Sequence, residues 1–252
     1  MQQLRLLSYN IQAGVYTRQY SEYLTKSWKQ VLPHRESMHN LGRIASILQE
    51  FDLVGLQEVD AGSLRSGFVD QTEYLAYLAR FPYWYKQVNR NLGRFAQHSN
   101  GVLSRLRPSA ITEYKLPGLP GRGAVMVELD TTDASVLAVC ILHLALGRRA
   151  RRRQLDYVRE LAAHYPYLVL MGDFNCDCGS RALKDLVSQA NLRGLDCELK
   201  TFPSWRPRRN LDHILASKRL RILETRVLDY SLSDHLPLSM KVALPEGVRL
   251  AT

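Results

Sequence analysis

A layered α/β sandwich is the fold class that the sequence predicts, and three observations predict it. Short apolar runs read as strands, and several are apolar on consecutive positions, as strands covered on both faces are. Amphipathic helical stretches lie irregularly between the runs, which suits helices packed outside sheets rather than a barrel or bundle. No repeat, low-complexity tract or Pro/Gly/Ser linker divides the 252 residues. A single domain over residues 1–252 is therefore expected, with its core from about 4 to 244.

The strand-like runs are, in order, LRLLSYNI at 4–11, DLVGLQEV at 52–59, NGVLSR at 100–105 and AVMVELD at 124–130. SVLAVCILHL at 135–144, YLVLMGDF at 167–174, LDHILAS at 211–217 and LPLSMKVAL at 236–244 follow. Helical periodicity appears at His39–Gln49, where Leu41, Ile44, Ala45 and Leu48 form one face, and at Arg149–His164, through Leu155, Val158, Leu161 and Ala162. Ser180 is placed to cap a third helix that turns Leu183, Leu186, Val187 and Ala190 inward. The segment from Gly14 to Asn40 is long, polar and aromatic-rich, and reads as a functional loop with a short helix and a lid-like role.

Hydrophobic content of 46% and charged content of 23% are those of a globular chain rather than a disordered one. The longest apolar stretch, VLAVCILHLAL from Val136, is too short to span a bilayer, and the N-terminus lacks the pattern of a secretory leader. Four cysteines are too few for a disulfide scaffold, and the Cys176-x-Cys178 pair lacks a second pair at zinc-ligand spacing. Reduced cysteines and a cytoplasmic location are the expectation. The net charge of +10 attracts polyanions, above all nucleic acid or an anionic membrane face.

Chemistry is concentrated where strand patterns end. Asn10, Glu58, His143 and Asp173 with Asn175 each follow an apolar run, and Asp234 with His235 precedes one. Rigid scaffolds display reactive groups on such loops. Each residue alone has a plainer reading: a turn at Asn10, a solvated strand end at Glu58, a core histidine at His143, an Asx-turn in GDFN. Together they form a set suited to metal-assisted phosphoester hydrolysis. Carboxylate and amide oxygens bind a hard cation such as Mg²⁺. A carboxylate orients or deprotonates water, while histidines and an amide neutralise the phosphoryl oxygens. No GxSxG nucleophile motif is present.

The motifs SYNIQAG, LQEVD, SNGVLSR, LHLALG, GDFN, LDHIL and SDHLPL, in this order from about Leu4 to Leu244, resemble the endonuclease/exonuclease/phosphatase superfamily. That superfamily includes DNase I, exonuclease III-type enzymes, deadenylases, inositol polyphosphate phosphatases and neutral sphingomyelinases. The resemblance implies a four-layer α/β/β/α sandwich, two mixed sheets face to face with helices outside. It implies Glu58 as principal metal ligand, with Asn10 and Asp234 beside it, and Mg²⁺ as the cofactor, with Mn²⁺ also supporting activity. Asp173 matches the residue that activates water, Asn175 the phosphate-binding amide, His143 a second phosphate donor, and Asn100 of SNGVLSR a further substrate contact. His235 would contact the scissile phosphate, polarised by Asp212 or Asp234, the former being the usual partner. Gln12 and LHLALG depart from the abasic-site repair pattern and lie closer to the broad bacterial branch, whose substrates vary.

Two arginine-rich stretches flank these motifs. GRRARRRQ at 147–154 carries Arg148, Arg149, Arg151, Arg152 and Arg153, and SWRPRRNLDH carries Arg206, Arg208 and Arg209, with Trp205 as a stacking or core residue. The arginines of the first stretch cannot all share one helix face. Cations are unfavourable at a helix N-terminus, so an external anion is one reason to place them there. The expected function is a divalent-metal-dependent nuclease acting on DNA or RNA, with no obligate protein partner. The alternatives are an enzyme for a small or lipid-linked phosphoester, and a catalytically silent nucleic-acid-binding module.

Overall fold

The computed structural model describes residues 1–14, 35–118 and 120–251, with Arg35 and Glu36 as backbone only. Most of the segment read as a lid, residues 15–34, lies outside the described residues; its end, from Arg35, opens a helix.

Strands β1 (Gln3–Asn10), β2 (Leu53–Asp60), β3 (Tyr83–Asn91), β4 (Gln97–Ser104), β11 (Arg221–Val227) and β12 (Leu238–Ala243) form one sheet, ordered β11-β12-β1-β2-β4-β3. Strands β5 (Ala110–Lys115), β6 (Gly123–Asp130), β7 (Val136–His143), β8 (Tyr167–Asp173), β9 (Leu192–Arg193) and β10 (Asp212–Ser217) form the other, ordered β5-β6-β7-β8-β10-β9. Each is mixed. β1 and β2 run parallel, as do β7 and β8, and the remaining neighbours are antiparallel. Helices α1 (Arg35–Leu48), α2 (Gln71–Ala79), α3 (Arg148–Ala162) and α4 (Arg181–Gln189) lie outside the sheets.

The consecutive apolar runs follow from burial on both faces. On β1, Leu4 and Leu6 enter the layer between the sheets, while Leu7 and Tyr9 pack against Leu41, Ile44 and Leu48 of α1 and Leu75 of α2. On β8, Val169 and Met171 face the central layer, while Leu168 and Leu170 meet Leu155 and Val158 of α3 and Leu183 of α4. Alternate residues thus enter different cores, giving three apolar layers between four layers of structure. Truncating a central side chain such as Met171 to Ala costs about 2–5 kcal/mol. The sheets are close enough at Gly55 that an added Cβ would lie 2.8 Å from Ile141 and 2.9 Å from Met171.

The strand runs and the three helical patterns read from sequence all correspond to elements, at slightly shifted ends. The strands without a sequence signal are β3, β5, β9 and β11, which are the edges of the two sheets. β5 and β11 have few buried positions, so they lack the apolar run that betrays an inner strand. Helix α2 also escaped the pattern; Asp70 caps it, accepting hydrogen bonds from the Thr72 and Glu73 backbone N–H groups.

Candidate active site

Strand register aligns the polar residues. His143 on β7 is paired with Asp173 on β8, and Asp173 with Asp212 on β10, so three neighbouring strands present one row. Gly172 makes the row possible. Its φ is +149°, and an added Cβ would lie 1.9 Å from the Leu142 carbonyl oxygen, so no other residue lets β8 approach β7 here. The parallel pair β1/β2 of the other sheet ends at the same rim, where Asn10 Nδ2 donates to Asp173 Oδ2 at 3.2 Å across the sandwich.

Asp173 is 2% exposed and central. Its Oδ1 accepts from the Asn175 backbone N–H at 2.8 Å, and its Oδ2 lies 3.4 Å from His143 Nε2 and 4.0 Å from His235 Nε2. Burial raises its pKa to about 7; the His235 charge opposes the rise and the Asp212 carboxylate adds to it. A carboxyl poised there suits a general base.

His235 Nδ1 bonds Asp212 Oδ2 at 2.7 Å, and the same oxygen accepts from Thr201 Oγ1. Burial pulls the imidazole pKa down, but Asp212 beside it wins and holds it well above the ordinary histidine range. The Phe202 ring, 4.9 Å away between centroids, packs on the imidazole. Of the two carboxylates weighed as its partner, Asp212 takes the role.

His143 is oriented differently. Arg122 Nη1 lies 3.1 Å from its Nδ1, and because guanidinium only donates, Nδ1 accepts and Nε2 carries the proton toward Asp173. Burial, then the Arg122 charge, lowers its pKa well below the usual value, so it stays a neutral donor. The two histidines therefore offer one charged and one neutral N–H.

Glu58 sits at a β-bulge where pairing with β4 shifts between Leu56 and Val59, and its φ of 57° turns the side chain out of the strand. A third of that side chain remains accessible, unlike its neighbours. It still lies deep enough that desolvation, followed by the Asp234 charge, raises its pKa. Asp60 fixes the following loop, accepting from the Ser63 N–H and hydroxyl, Arg65 and Ser66. Asp234 is buried, with its Oδ1 accepting from Ser233 Oγ at 3.1 Å.

Glu58 feels the Asp234 charge and has the Asn10 amide beside it, and all three side chains carry hard oxygens, two of them carboxylates that repel each other. A divalent cation relieves that repulsion, so the residues fit one. Asp173, Asp212 and His235 also bring ligand atoms within 4.8 Å of one another. There Asp212 Oδ2 is committed to His235 and Thr201, while Asp212 Oδ1 is buried without a hydrogen-bond partner among the described residues, so the cluster holds a proton relay and still offers one carboxylate oxygen to a ligand.

Asn175, 9% exposed with φ 51°, spends one amide N–H on the Leu144 carbonyl at 2.9 Å and keeps the other. Asn100 departs from the role expected of it. It is fully buried, and its amide nitrogen donates to Gly123 O and Gln87 Oε1, tying β4 and β3 to the start of β6. The arginines separate by helix phase. Arg148 and Arg152 line a cavity beside Asn175, together with Arg151, Arg181 and Arg209, whereas Arg149, Arg206 and Arg208 are exposed and do not line it.

The cysteine expectation is corrected. Cys178 and Cys197 form a disulfide with Cα atoms 5.4 Å apart, leaving Cys140 and Cys176 free and buried. Spacing of 19 residues hides a pairing that the loop after β8 and the segment before Thr201 create by folding together. The cytoplasmic expectation loses the support it drew from reduced cysteines. Among the described residues no helix is long and apolar enough to cross a membrane. Sequence reading also missed Arg122 and Thr201, which orient the two histidines; each lies far from the motif it serves and carries no signal of its own.

The model of the Endonuclease/Exonuclease/phosphatase family matches residues 7–235. The chain belongs to this family. A search of curated proteins finds no match, but solved structures of family members do match. An endonuclease/exonuclease/phosphatase from Beutenbergia cavernae aligns with a TM-score of 0.73 at 20% identity, covering 97% of this chain and 72% of that one. A mannosyl-6-phosphatase from Bacteroides thetaiotaomicron gives 0.70 at 18% identity over 96% and 100% of the two chains. The human Nocturnin catalytic domain, solved with a bound sulfate anion, gives 0.68 at 18% identity over 96% and 94%. Family members are metal-dependent phosphoester hydrolases, and this chain has their fold.

Proposed function

We propose that this family member is a Mg²⁺-dependent phosphodiesterase, and specifically a nuclease that hydrolyses nucleic-acid phosphodiester bonds by in-line attack of water. One observation carries the reading: a buried carboxyl poised near neutrality, Asp173, stands between a charged and a neutral imidazole beside an arginine-lined surface. Asp173 orients the water and takes its proton as the water oxygen bonds to phosphorus; the bond to the ester oxygen on the opposite side breaks, and that oxygen leaves with a proton drawn from solvent. His235, charged through Asp212, donates from Nε2 to the phosphoryl group, and His143 Nε2–H with the free Asn175 N–H donates to its other oxygens. Glu58, Asp234 and Asn10 would hold the cation, which would supply positive charge to offset that of the phosphate. Mn²⁺ substitutes for Mg²⁺ in this role.

The net charge of +10 favours a polyanionic substrate over a single small ester. The same fold in a mannosyl-6-phosphatase keeps a small phosphoester as the competing reading. A silent binding module fits poorly, because the motif positions carry the residue types that hydrolysis needs, a carboxylate for the water and donors for the phosphate. The test is a panel of single- and double-stranded DNA and RNA and small phosphoesters, assayed with Mg²⁺, Mn²⁺ and a chelator. Nucleic acid should be cleaved fastest, chelation should abolish cleavage, and log K should fall with log salt at about −0.9 per duplex phosphate contacted. Faster hydrolysis of a sugar or lipid phosphate, with salt-insensitive nucleic-acid binding, overturns it.

A further inference from the structure

A cavity of about 730 Å³ opens beside Asn175, and its wall carries five arginines against two carboxylates. Three of the arginines, Arg148, Arg151 and Arg152, come from the first turns of α3 at positions i, i+3 and i+4, one helix face. Arg181 comes from the start of α4, and Arg209 from the residues before β10. Two of the five are occupied within the protein. Arg209 pairs with Asp177 at 3.1 Å, and Arg151 donates to the Ala145 and Leu146 carbonyls at 3.1 and 2.7 Å. Among the described residues, Arg148, Arg152 and Arg181 make no hydrogen bond or ion pair.

The backbone adds to the same field. Both α3 and α4 begin at this cavity, at Gly147 and Ser180; neither helix has a side-chain cap or an acidic residue in its first turn. Arginines there meet the positive end of each helix dipole, an arrangement that costs stability unless an anion sits between them. A merely solvated charge run would spread around its helix; here three separate segments aim cations into one concavity that shares Asn175 with the candidate active site.

We infer that this cavity is a second-phosphate subsite, which takes a non-scissile phosphate of the same substrate molecule whose scissile phosphate lies at Asp173, Asn175 and His235. The inference rests on the phosphodiesterase reading and narrows it to substrates that carry another phosphate on the Asn175 side. A phosphate held by Arg148, Arg152 and Arg181 is anchored by charge-assisted bonds, and the cavity volume leaves room for the sugar that bears it.

The test uses two substrate pairs that differ only in the second phosphate. One is thymidine 5′-(p-nitrophenyl phosphate) with and without a 3′-phosphate; the other is inositol 1-phosphate against inositol 1,4-bisphosphate. The wild-type protein should show a KM at least about tenfold lower for the doubly phosphorylated thymidine compound, as charged hydrogen bonds of this kind allow. Arg152→Gln/Arg181→Gln, changes at exposed positions, should erase that preference while leaving the singly phosphorylated substrate unaltered; the double Lys variant should keep part of it. Discrimination confined to the inositol pair upholds the subsite and overturns the nucleic-acid reading. Thymidine compounds cleaved alike, with no response to the variant and no inositol discrimination, overturn the subsite and leave the nuclease reading standing. Equal loss on singly and doubly phosphorylated substrates also overturns it. Should none of the four turn over, calorimetry compares thymidine 3′,5′-bisphosphate with thymidine 5′-monophosphate. Tighter binding of the bisphosphate that the variant abolishes upholds the subsite, and equal affinities overturn it.

Discussion

Two neighbouring parts of the candidate site, a buried polar floor and the arginine wall of the cavity beside Asn175, are built on opposite principles. On the floor, Asp173, Asp212, His143 and His235 are each at most 5% exposed, and each is held by another side chain or by a backbone N–H. Along the wall, Arg148, Arg152 and Arg181 are exposed and make no bond to the protein among the described residues. Burial is what shifts the floor's protonation, because desolvation acts strongly only where water is excluded. Exposure leaves the wall's charge available to a ligand but weak and screened by salt. The floor is therefore the place for chemistry and the wall for attraction, and substitutions should divide between kcat and KM accordingly.

The largest effect should come from the centre of the floor. Asp173→Asn should lower kcat by at least about a hundredfold, the usual worth of a placed base. It should also stabilise the metal-free protein. A carboxyl whose folded pKa is raised to about 7 binds more protons folded than unfolded between its ordinary value and that pH, so its stability contribution declines as pH rises through the window. The melting temperature of the variant should exceed wild type by a few degrees at about pH 7.5, with the gain shrinking toward about pH 5. Wild-type turnover in a folded variant, or a lower melting temperature at neutral pH, would break the contrast.

Next in size is Asp212→Asn, which should reduce kcat by at least about tenfold by removing a charged hydrogen bond from His235. A merely structural change would leave the imidazole's titration alone. Here ¹⁵N NMR of the metal-free variant should show the His235 midpoint falling, since Asp212 is the group that raises it.

Glu58→Gln should act on the metal. The Mg²⁺ concentration for half-maximal rate should rise on the order of tenfold, because one anionic oxygen leaves a weakly held cation. An unchanged requirement with lower activity would move Glu58 out of the metal set.

The smallest effects belong to the wall and sharpen its geometry. Arg152→Gln should raise KM for a nucleic-acid substrate a few-fold with kcat nearly unchanged, whereas Arg149→Gln, outside the cavity lining, should change neither by more than about twofold. Equal effects would mean that net charge matters and the cavity does not.

The inner strands were legible because burial on both faces writes an uninterrupted apolar run into β1, β2, β7 and β8, and the polar residue that ends each run marks the rim. Edge strands β5 and β11 carry no such mark, since one side of each meets solvent. Motif residues from Asn10 to His235 were legible for the related reason that a carboxylate or imidazole at the mouth of an apolar strand is conspicuous.

By itself, the sequence determined the layered fold, the family, and the residue types available for metal, water and phosphate. Partnership was decided only in three dimensions. Register set His143, Asp173 and Asp212 in a row, distant Arg122 and Thr201 fixed the two histidines, and Asn100 turned inward to the start of β6. Helix phase separated Arg149 from Arg148 and Arg152. Cys178 found Cys197 rather than staying reduced. Apolar pattern records how deeply a residue is buried, which is a property of one position and its periodicity. Contacts between segments far apart in the chain depend on how the layers stack, and no local pattern carries that information.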